Sequence, residues 1–399
     1  MAGLKWQRSG GVAIPMQLTG DLEKTINAVP LLPFDERVLD LLNDLSKRLI
    51  KVREYSDVAT FGFWCRKTAL LKEKRNYDDL HQRLGKGVVF HSTPSNVPVN
   101  FAFSFVAGLL AGNANIVRLP GKDFEQVTII VNAITELLEG EYSDLAPYLC
   151  FVKYATDKAL HDKFSSVCDV RVVWGGDGTI NEFRKSPLKP RATELTFADR
   201  YSIAVIKADE YLKTEDKQKI AQDFYNDTYF SDQNACTAPR IVYWMGENRE
   251  DAKEAFWANI KILARERYEL APVQAVGKLA AFYRAAAHRE VTLVDSEDSH
   301  VTRVYVEDAD DNLMEYKYNS GFYFERDIEK LEEILPISGE RLQTLTYLGL
   351  TKEELTEFFA VCRPKGIDRA VPMGKSMDFS LVWDGYDLIR QLSRRITIE

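Results

Sequence analysis

Histidine and cysteine are scarce in this 399-residue chain, five of each, and neither is spaced for a metal. Cys65, Cys150, Cys168, Cys236 and Cys362 are odd in number, widely separated and without a CxxC pair. That excludes a disulfide framework or zinc site and suits a reducing compartment. His81, His91, His161, His288 and His300 are scattered, so no metal is expected. Long apolar runs are also missing. The longest, Phe101–Ala111, contains Ser104 and Gly108 and falls far short of the ~20 residues of a membrane span. The opening ten residues have no apolar core of a signal peptide, so a cytoplasmic protein is expected. No basic block occurs, and the formal net charge is −8, which argues against a nucleic-acid-binding surface. Internal repeats and low-complexity segments are absent, and no GxGxxG follows the first strand–helix unit.

What is present is a long alternation of short apolar strands and helices. After helical patterns over Phe34–Lys51 and Ala59–Lys74, strands are predicted at Gly87–Phe90, Ala114–Leu119, Leu149–Tyr154 and Asp169–Trp174. Helices are predicted between them at Asn100–Ala111, Phe124–Leu138 and Lys158–Ser165. That order predicts a parallel sheet covered on both faces, with ligands at the carboxyl ends of the strands. The loops at 91–98, 118–122 and 174–179 are then the binding loops. A second unit follows the strand Tyr201–Ile206, with strands at Ile241–Trp244, Val291–Val294, Val301–Val306, Leu313–Tyr318, Phe322–Phe324 and Leu342–Leu348. Val371–Trp383 reads as loop, Asp384–Ser393 as helix and Arg394–Glu399 as a last strand.

Cys236 stands between small and polar neighbours in a connection from a helix (Glu215–Asp227) to the strand Ile241–Trp244. A rigid scaffold can hold such a side chain exposed. The alternatives at that point are a nucleophile and a partly buried structural thiol. Gly175–Thr179 follows a strand and opens a helix, where backbone N–H groups suit a phosphate; an ordinary tight turn is the other reading. Arg118, at a strand end with Lys122 beyond it, would meet a ribose or 2′-phosphate or else be solvated charge. Asn96 offers an amide to an oxyanion, or merely turn chemistry. Glu194 is a lone carboxylate among apolar neighbours, a general base if its cleft is apolar and a surface charge otherwise. A dyad of Cys236 with His91 is a further possibility.

Five strings occur in an order that resembles one family: HSTPSNVP (91–98), AGNANIVR (111–118), VWGGD (173–177), DQNAC (232–236), and a tail of GIDR (366–369) with DFSLVWDGYDLIR (378–390). Over roughly residues 85–399 the chain resembles the acyl-CoA reductases of the LuxC type, within the aldehyde-dehydrogenase-like superfamily. The resemblance implies an α/β fold. A parallel-sheet cofactor domain (1–197, with 384–399 returning to it or to a neighbouring subunit) would be joined to an α/β catalytic domain (198–383). It implies that Cys236 is the nucleophile, Asn96 the oxyanion-binding amide and Glu194 the carboxylate. The cofactor would be held by Ser92, Thr93, Pro94, Asn113, Arg118, Gly175, Gly176 and Asp177. The implied reaction is reduction of a fatty acyl-CoA or acyl-carrier thioester to an aldehyde by NADPH, with NADH the alternative. An acyl-transferring partner protein and a homo-oligomer are also implied. The chain departs from the family where the base's Gly-Gly gives way to Thr196 and Phe197, and where Arg118 stands near the family's ribose-contacting lysine. Two rival readings remain. GGDGTINE (175–182) also resembles the signature of diacylglycerol and NAD kinases, and an acyltransferase would load Cys236 without redox chemistry.

Overall fold

The computed structural model describes residues 7–8, 17–94, 97–295 and 298–399. The chain forms two compact units, Met1–Ala198 with Ser380–Glu399, and Asp199–Phe379. Among the described residues no helix is long and apolar enough to cross a membrane.

The first unit contains β1 (Gln7–Arg8), β2 (Gln17–Thr19), β3 (Arg83–Gly85), β4 (Val88–Ser92), β5 (Ala114–Arg118), β6 (Leu149–Lys153), β7 (Val170–Trp174) and β8 (Thr193–Phe197). Seven of these make one sheet in the order β1-β2-β6-β5-β4-β7-β8. The run from β6 to β8 is parallel, and β2 joins it antiparallel. β4 and β7 are buried along their whole length, as strands covered on both faces must be. The helix Asn100–Leu110 is apolar on nearly every side and is buried accordingly. Strand order reverses at β4, with β5 and β6 to one side and β7 and β8 to the other. The loops after β4 and β7 therefore flank a topological switch point, where open parallel sheets bind ligands.

The second unit holds β9 (Tyr201–Lys207), β10 (Pro239–Met245), β11 (Val291–Asp295), β12 (Thr302–Val306), β13 (Phe322–Asp327), β14 (Leu342–Leu348) and β15 (Arg369–Pro372). Its sheet runs β11-β12-β13-β10-β9-β14-β15, parallel except for the edge strand β11. At its centre Glu325, 1% exposed, accepts the indole N–H of Trp244 (2.9 Å) and of Trp257 (2.5 Å) on one oxygen. The other oxygen accepts Arg303 Nε at 2.7 Å.

The tail returns to the first unit of its own chain. A two-residue hairpin, β16 (Val382–Trp383) and β17 (Tyr386–Asp387), turns through Asp384 and Gly385, both at positive φ. Aspartate and glycine suit such a turn. A short helix, Leu388–Leu392, leads to β18 (Ser393–Arg395), which pairs antiparallel with β3. The helix expected over Asp384–Ser393 is thus half hairpin.

Other expectations shift for identifiable reasons. The single helix expected over Ala59–Lys74 is two, Ser56–Trp64 and Lys67–Lys74, with Arg66 extended between them. Leu313–Tyr318 is not a strand but the end of a 3₁₀ turn, Asp311–Tyr316, nucleated by Asp310 accepting the N–H groups of Asn312 and Leu313. Val371 lies in a parallel edge strand, β15, not in a loop. β8 escaped the sequence reading because its exposed edge positions break the apolar run.

Candidate active site

Burial separates the five cysteines. Cys65, Cys150 and Cys168 are buried, and burial pushes the thiols of Cys150 and Cys168 up to about 12. Cys236 and Cys362 are both half-buried, Cys362 at a helix end. Thiolate chemistry needs access and a reachable pKa, so the buried three are structural.

Cys236 sits just before the amino end of β10, on a loop held from several sides. Asp232 and Gln233 both have positive φ, 50° and 52°. Aspartate tolerates that region through its short polar side chain, but glutamine has no such excuse. The strain persists because the surroundings over-determine it. Asp232 accepts the hydroxyls of Tyr268 and Ser320 (2.8 Å to Ser320). Fully buried Gln233 accepts the Gly321 N–H (2.8 Å) and donates to the carbonyl of Pro239 (3.2 Å). Arg240, 6% exposed, donates to the carbonyl oxygens of Gln233 and Tyr318 and to Asn319 Oδ1. Burial lowers its guanidinium to about 10, against the pull of negative charge at several groups that include Asp232 and Cys236. The Cys236 carbonyl accepts the Ser202 hydroxyl at 2.7 Å, and Thr237 Oγ1 lies 3.2 Å from Met377 Sδ. The nucleophile candidate is therefore mounted on a fixed backbone beside a buried cation. Sequence reasoning missed Ser202, Gln233 and Arg240 as supports, since only the fold brings their partners together.

The first unit gathers the predicted cofactor residues unevenly. Ser92 and Thr93 follow β4 to its carboxyl end, and Thr93 Oγ1 donates to the Arg118 carbonyl (2.7 Å) across to β5. Pro94 comes next, at the start of the loop. The Arg118 guanidinium lies 4.8 Å from the centre of the Tyr154 ring. Another of its nitrogens donates to the Tyr154 carbonyl at 3.5 Å, while among the described residues neither its buried Nε nor the buried Tyr154 hydroxyl has a hydrogen-bond partner. Gly175 leaves β7, Gly176 caps the helix Asp177–Arg184, and Asp177 opens it exposed to solvent. A side chain at Gly176 or Gly178 would meet nothing within 4 Å, so the helix start has open space over it. These groups come to the switch-point edge of the sheet. Ser95 and Asn96 lie outside the described residues.

Asn113 does not join them. It precedes β5 and so stands at the opposite, amino edge, fully buried. There its side chain accepts the Gly87 N–H (3.0 Å) and donates to the carbonyl of Leu392 (2.9 Å), tying the returning tail to the sheet. Its expected cofactor contact is replaced by a structural one.

Glu194 is likewise placed by charge and not by an apolar cleft. It faces Arg171 across the β7–β8 ladder. One oxygen meets Arg171 NH2 at 2.6 Å, and the other meets Arg184 Nε at 2.9 Å. Both oxygens are occupied by guanidinium groups.

His91 is fully buried in a directed relay. Trp174 Nε1 donates to Ser104 Oγ (2.9 Å), and Ser104 shares its hydrogen with His91 Nδ1 (2.8 Å). His91 Nε2 meets Asn115 Oδ1 at 2.9 Å. The Asn115 amide nitrogen is spent on the carbonyls of Asn113 and Tyr148, so its oxygen faces His91 and Nε2 carries the proton. Burial lowers His91 to about 4, keeping it neutral. Gly108 makes room, since a Cβ there would fall 1.9 Å from Asn115 Oδ1. With both ring nitrogens engaged, His91 is no base for Cys236.

Comparison with known proteins adds to this geometry. A model of the family "Acyl-CoA reductase (LuxC)" matches residues 66–395, a span that includes GGDGTINE. The long-chain acyl-protein thioester reductase of Aliivibrio fischeri is 26% identical over 164 residues, 41% of this chain and 33% of its own length. That of Photorhabdus laumondii is 22% identical over 322 residues, 78% of this chain and 63% of its own. The chain thus spans less than two thirds of these relatives. Among solved structures, a lactaldehyde dehydrogenase superposes with a TM-score of 0.62 over 92% of this chain and 86% of its own, at 12% identity. Proline utilization A from Corynebacterium freiburgense gives 0.64 over 95% of this chain and 43% of its own, also at 12%. At such identities the likeness is one of fold, and the fold is aldehyde-dehydrogenase-like.

Proposed function

The chain belongs to the acyl-CoA reductase (LuxC) family, and from that membership we propose that it reduces an acyl thioester to the aldehyde through an acyl group carried on Cys236, with NADPH as reductant. The observation that carries this reading is the partly exposed Cys236 on its strained, fully supported loop, while three other cysteines are entombed.

In this reading the Cys236 thiolate attacks the thioester carbonyl, the bond to the CoA sulfur breaks, and CoA departs as its thiolate, which takes a proton from solvent. The family resemblance assigns the oxyanion to the Asn96 amide and the backbone N–H of Cys236. The nicotinamide, when bound, supplies a hydride to the acyl carbon. The thiohemiacetal on Cys236 then stands as its alkoxide, and collapse of that alkoxide breaks the carbon–sulfur bond to release aldehyde and regenerate thiolate. No water is activated along this route, so the ion-paired Glu194 has no base role in it. Buried Arg240 keeps the loop that carries Cys236 in place through the Gln233 carbonyl.

The residues of the first unit fit a nucleotide. The Arg118 Nε, unpartnered among the described residues, supports a phosphate contact, and the open glycines at the start of the helix Asp177–Arg184 support close approach of an anion. Arg118→Ala is expected to raise the KM for NADPH by roughly 10- to 100-fold, the worth of a charged hydrogen bond. The KM for NADH should stay within about twofold. Equal losses for the two cofactors would remove Arg118 from the 2′-phosphate.

The reading as a whole is tested by incubating the protein with acyl-CoAs and an acylated carrier protein, with NADPH or NADH, and measuring aldehyde by mass spectrometry. Acyl labelling with no cofactor oxidation identifies an acyltransferase. Absence of both labelling and aldehyde across the panel refutes the proposal.

A further inference from the structure

Asp227, the last residue of the helix Lys217–Asp227, is fully buried. Its two oxygens are taken by backbone: Oδ2 accepts the Gly374 N–H at 2.7 Å, and Oδ1 accepts the Ser376 N–H at 3.0 Å. Arg369 gathers the carbonyl side of the same turn, donating to Ser376 (2.7 Å), Lys375 (3.0 Å) and Asp378 (2.5 Å). Gly374 is at positive φ, and a Cβ there would lie 2.7 Å from Asp223, so the turn packs directly on the helix that carries Asp227. The residue after Ser376 is Met377, whose sulfur meets Thr237, the neighbour of Cys236. The Cys236 carbonyl is held separately by Ser202.

We propose that Asp227 is a positioning residue for acyl transfer: its carboxylate fixes the turn Gly374–Asp378, and through Met377 that turn fixes the Thr237 side of the nucleophile loop. The inference rests on Cys236 being the nucleophile. The ionised carboxylate offers one oxygen to each of the two backbone N–H groups. Once protonated, the oxygen that carries the hydrogen is the weaker acceptor, and its hold on the turn loosens. Burial pushes Asp227 up to about 6, against the pull of those N–H groups, and the nearby charge of Asp223 adds to the rise. The charged groups around it are Asp223, paired with Lys219 at 2.6 Å, and Lys375 on the turn, paired with Asp378 at 3.0 Å. Arg369 binds the far side of that turn. Acyl-dependent turnover should therefore decline as pH falls through about 6.

Stability moves the other way. The folded-state value lies above the ordinary carboxylate value of about 3.9, so the folded protein holds this proton more tightly. The contribution of Asp227 to stability is full below about pH 4 and is lost as pH rises through about 6.

Asp227→Asn mimics the protonated state at every pH. Expected are a kcat roughly tenfold lower near neutrality, as for a modest misplacement of a reacting group, and no further acid decline near pH 6. The KM for the cofactor should be unchanged, and the melting temperature no lower than that of the parent. Met377→Ala removes the last contact without touching the buried carboxylate, and should lower kcat several-fold while keeping the acid decline. If Asp227→Asn does not fold, Met377→Ala decides. Parental turnover in Met377→Ala, or an unchanged acid decline in Asp227→Asn, overturns the proposal. Cys236→Ala, assayed alongside, keeps the two ideas apart: if it stays active, the nucleophile reading itself has failed, whereas an inactive Cys236→Ala with fully active Asp227 and Met377 variants rejects only the positioning role.

Discussion

Cys236→Ala is expected to abolish both acyl loading from a radiolabelled thioester and acyl-dependent oxidation of NADPH. The loss should be on the order of 10⁴-fold or more, as when an enzyme loses the atom that forms its covalent intermediate. The effect is chemical and not structural. The loop is held by the Cys236 carbonyl, Asp232, Gln233 and Arg240, none of which the substitution alters. Cys236→Ser keeps a hydroxyl but replaces a good leaving group by a poor one, and an ester is less electrophilic to hydride than a thioester. It should be almost as inactive. Cys362→Ala is the control, since that half-buried thiol closes a helix of the second unit and has no place in the reaction. Labelling is best read peptide by peptide. Thioester-dependent oxidation surviving in Cys236→Ala would falsify the nucleophile assignment.

The largest effect on stability is expected at Glu325. Truncation to alanine leaves two indole N–H groups and the mostly buried Arg303 guanidinium without their acceptor, at the middle of the second sheet. Removing one partner of a buried ion pair costs about 3–5 kcal/mol, because the other charge is left behind. Glu325→Gln should cost less, about 1–3 kcal/mol, since its carbonyl can still serve the indoles while its amide N–H₂ confronts Arg303. Chemical denaturation followed by intrinsic fluorescence measures both. A cost under about 1 kcal/mol for the alanine variant would mean that water or a rearranged Arg303 replaces the carboxylate.

How far the sequence can be read depends on how local the physics is. The strand–helix alternation of the first unit was legible because each element carries its own apolar periodicity. β4, β5, β6 and β7 fall within a residue or two of the segments inferred from it. That Cys236 lies outside the apolar core was one of two readings left open by the small and polar residues around it, and the thiol is half-buried. Asn113 was misread although a signal was present. A residue just before a parallel strand stands at the amino edge, and only residues at the strand's end reach the edge where ligands bind. Arg118 met that condition and Asn113 did not.

The sequence by itself determined the alternation of strands and helices in the first unit and the loops that follow its strands, features that follow from local composition. The strand order that puts the reversal at β4 belongs to the tertiary structure. The tertiary structure alone decided what the polar groups do. Glu194 went to Arg171 and Arg184, His91 to Ser104 and Asn115, Glu325 to two tryptophans and an arginine, and Asp227 to a turn some 150 residues away. A buried polar side chain must find a partner, and that partner is chosen by the packing of distant segments, so no window of neighbouring residues contains the answer.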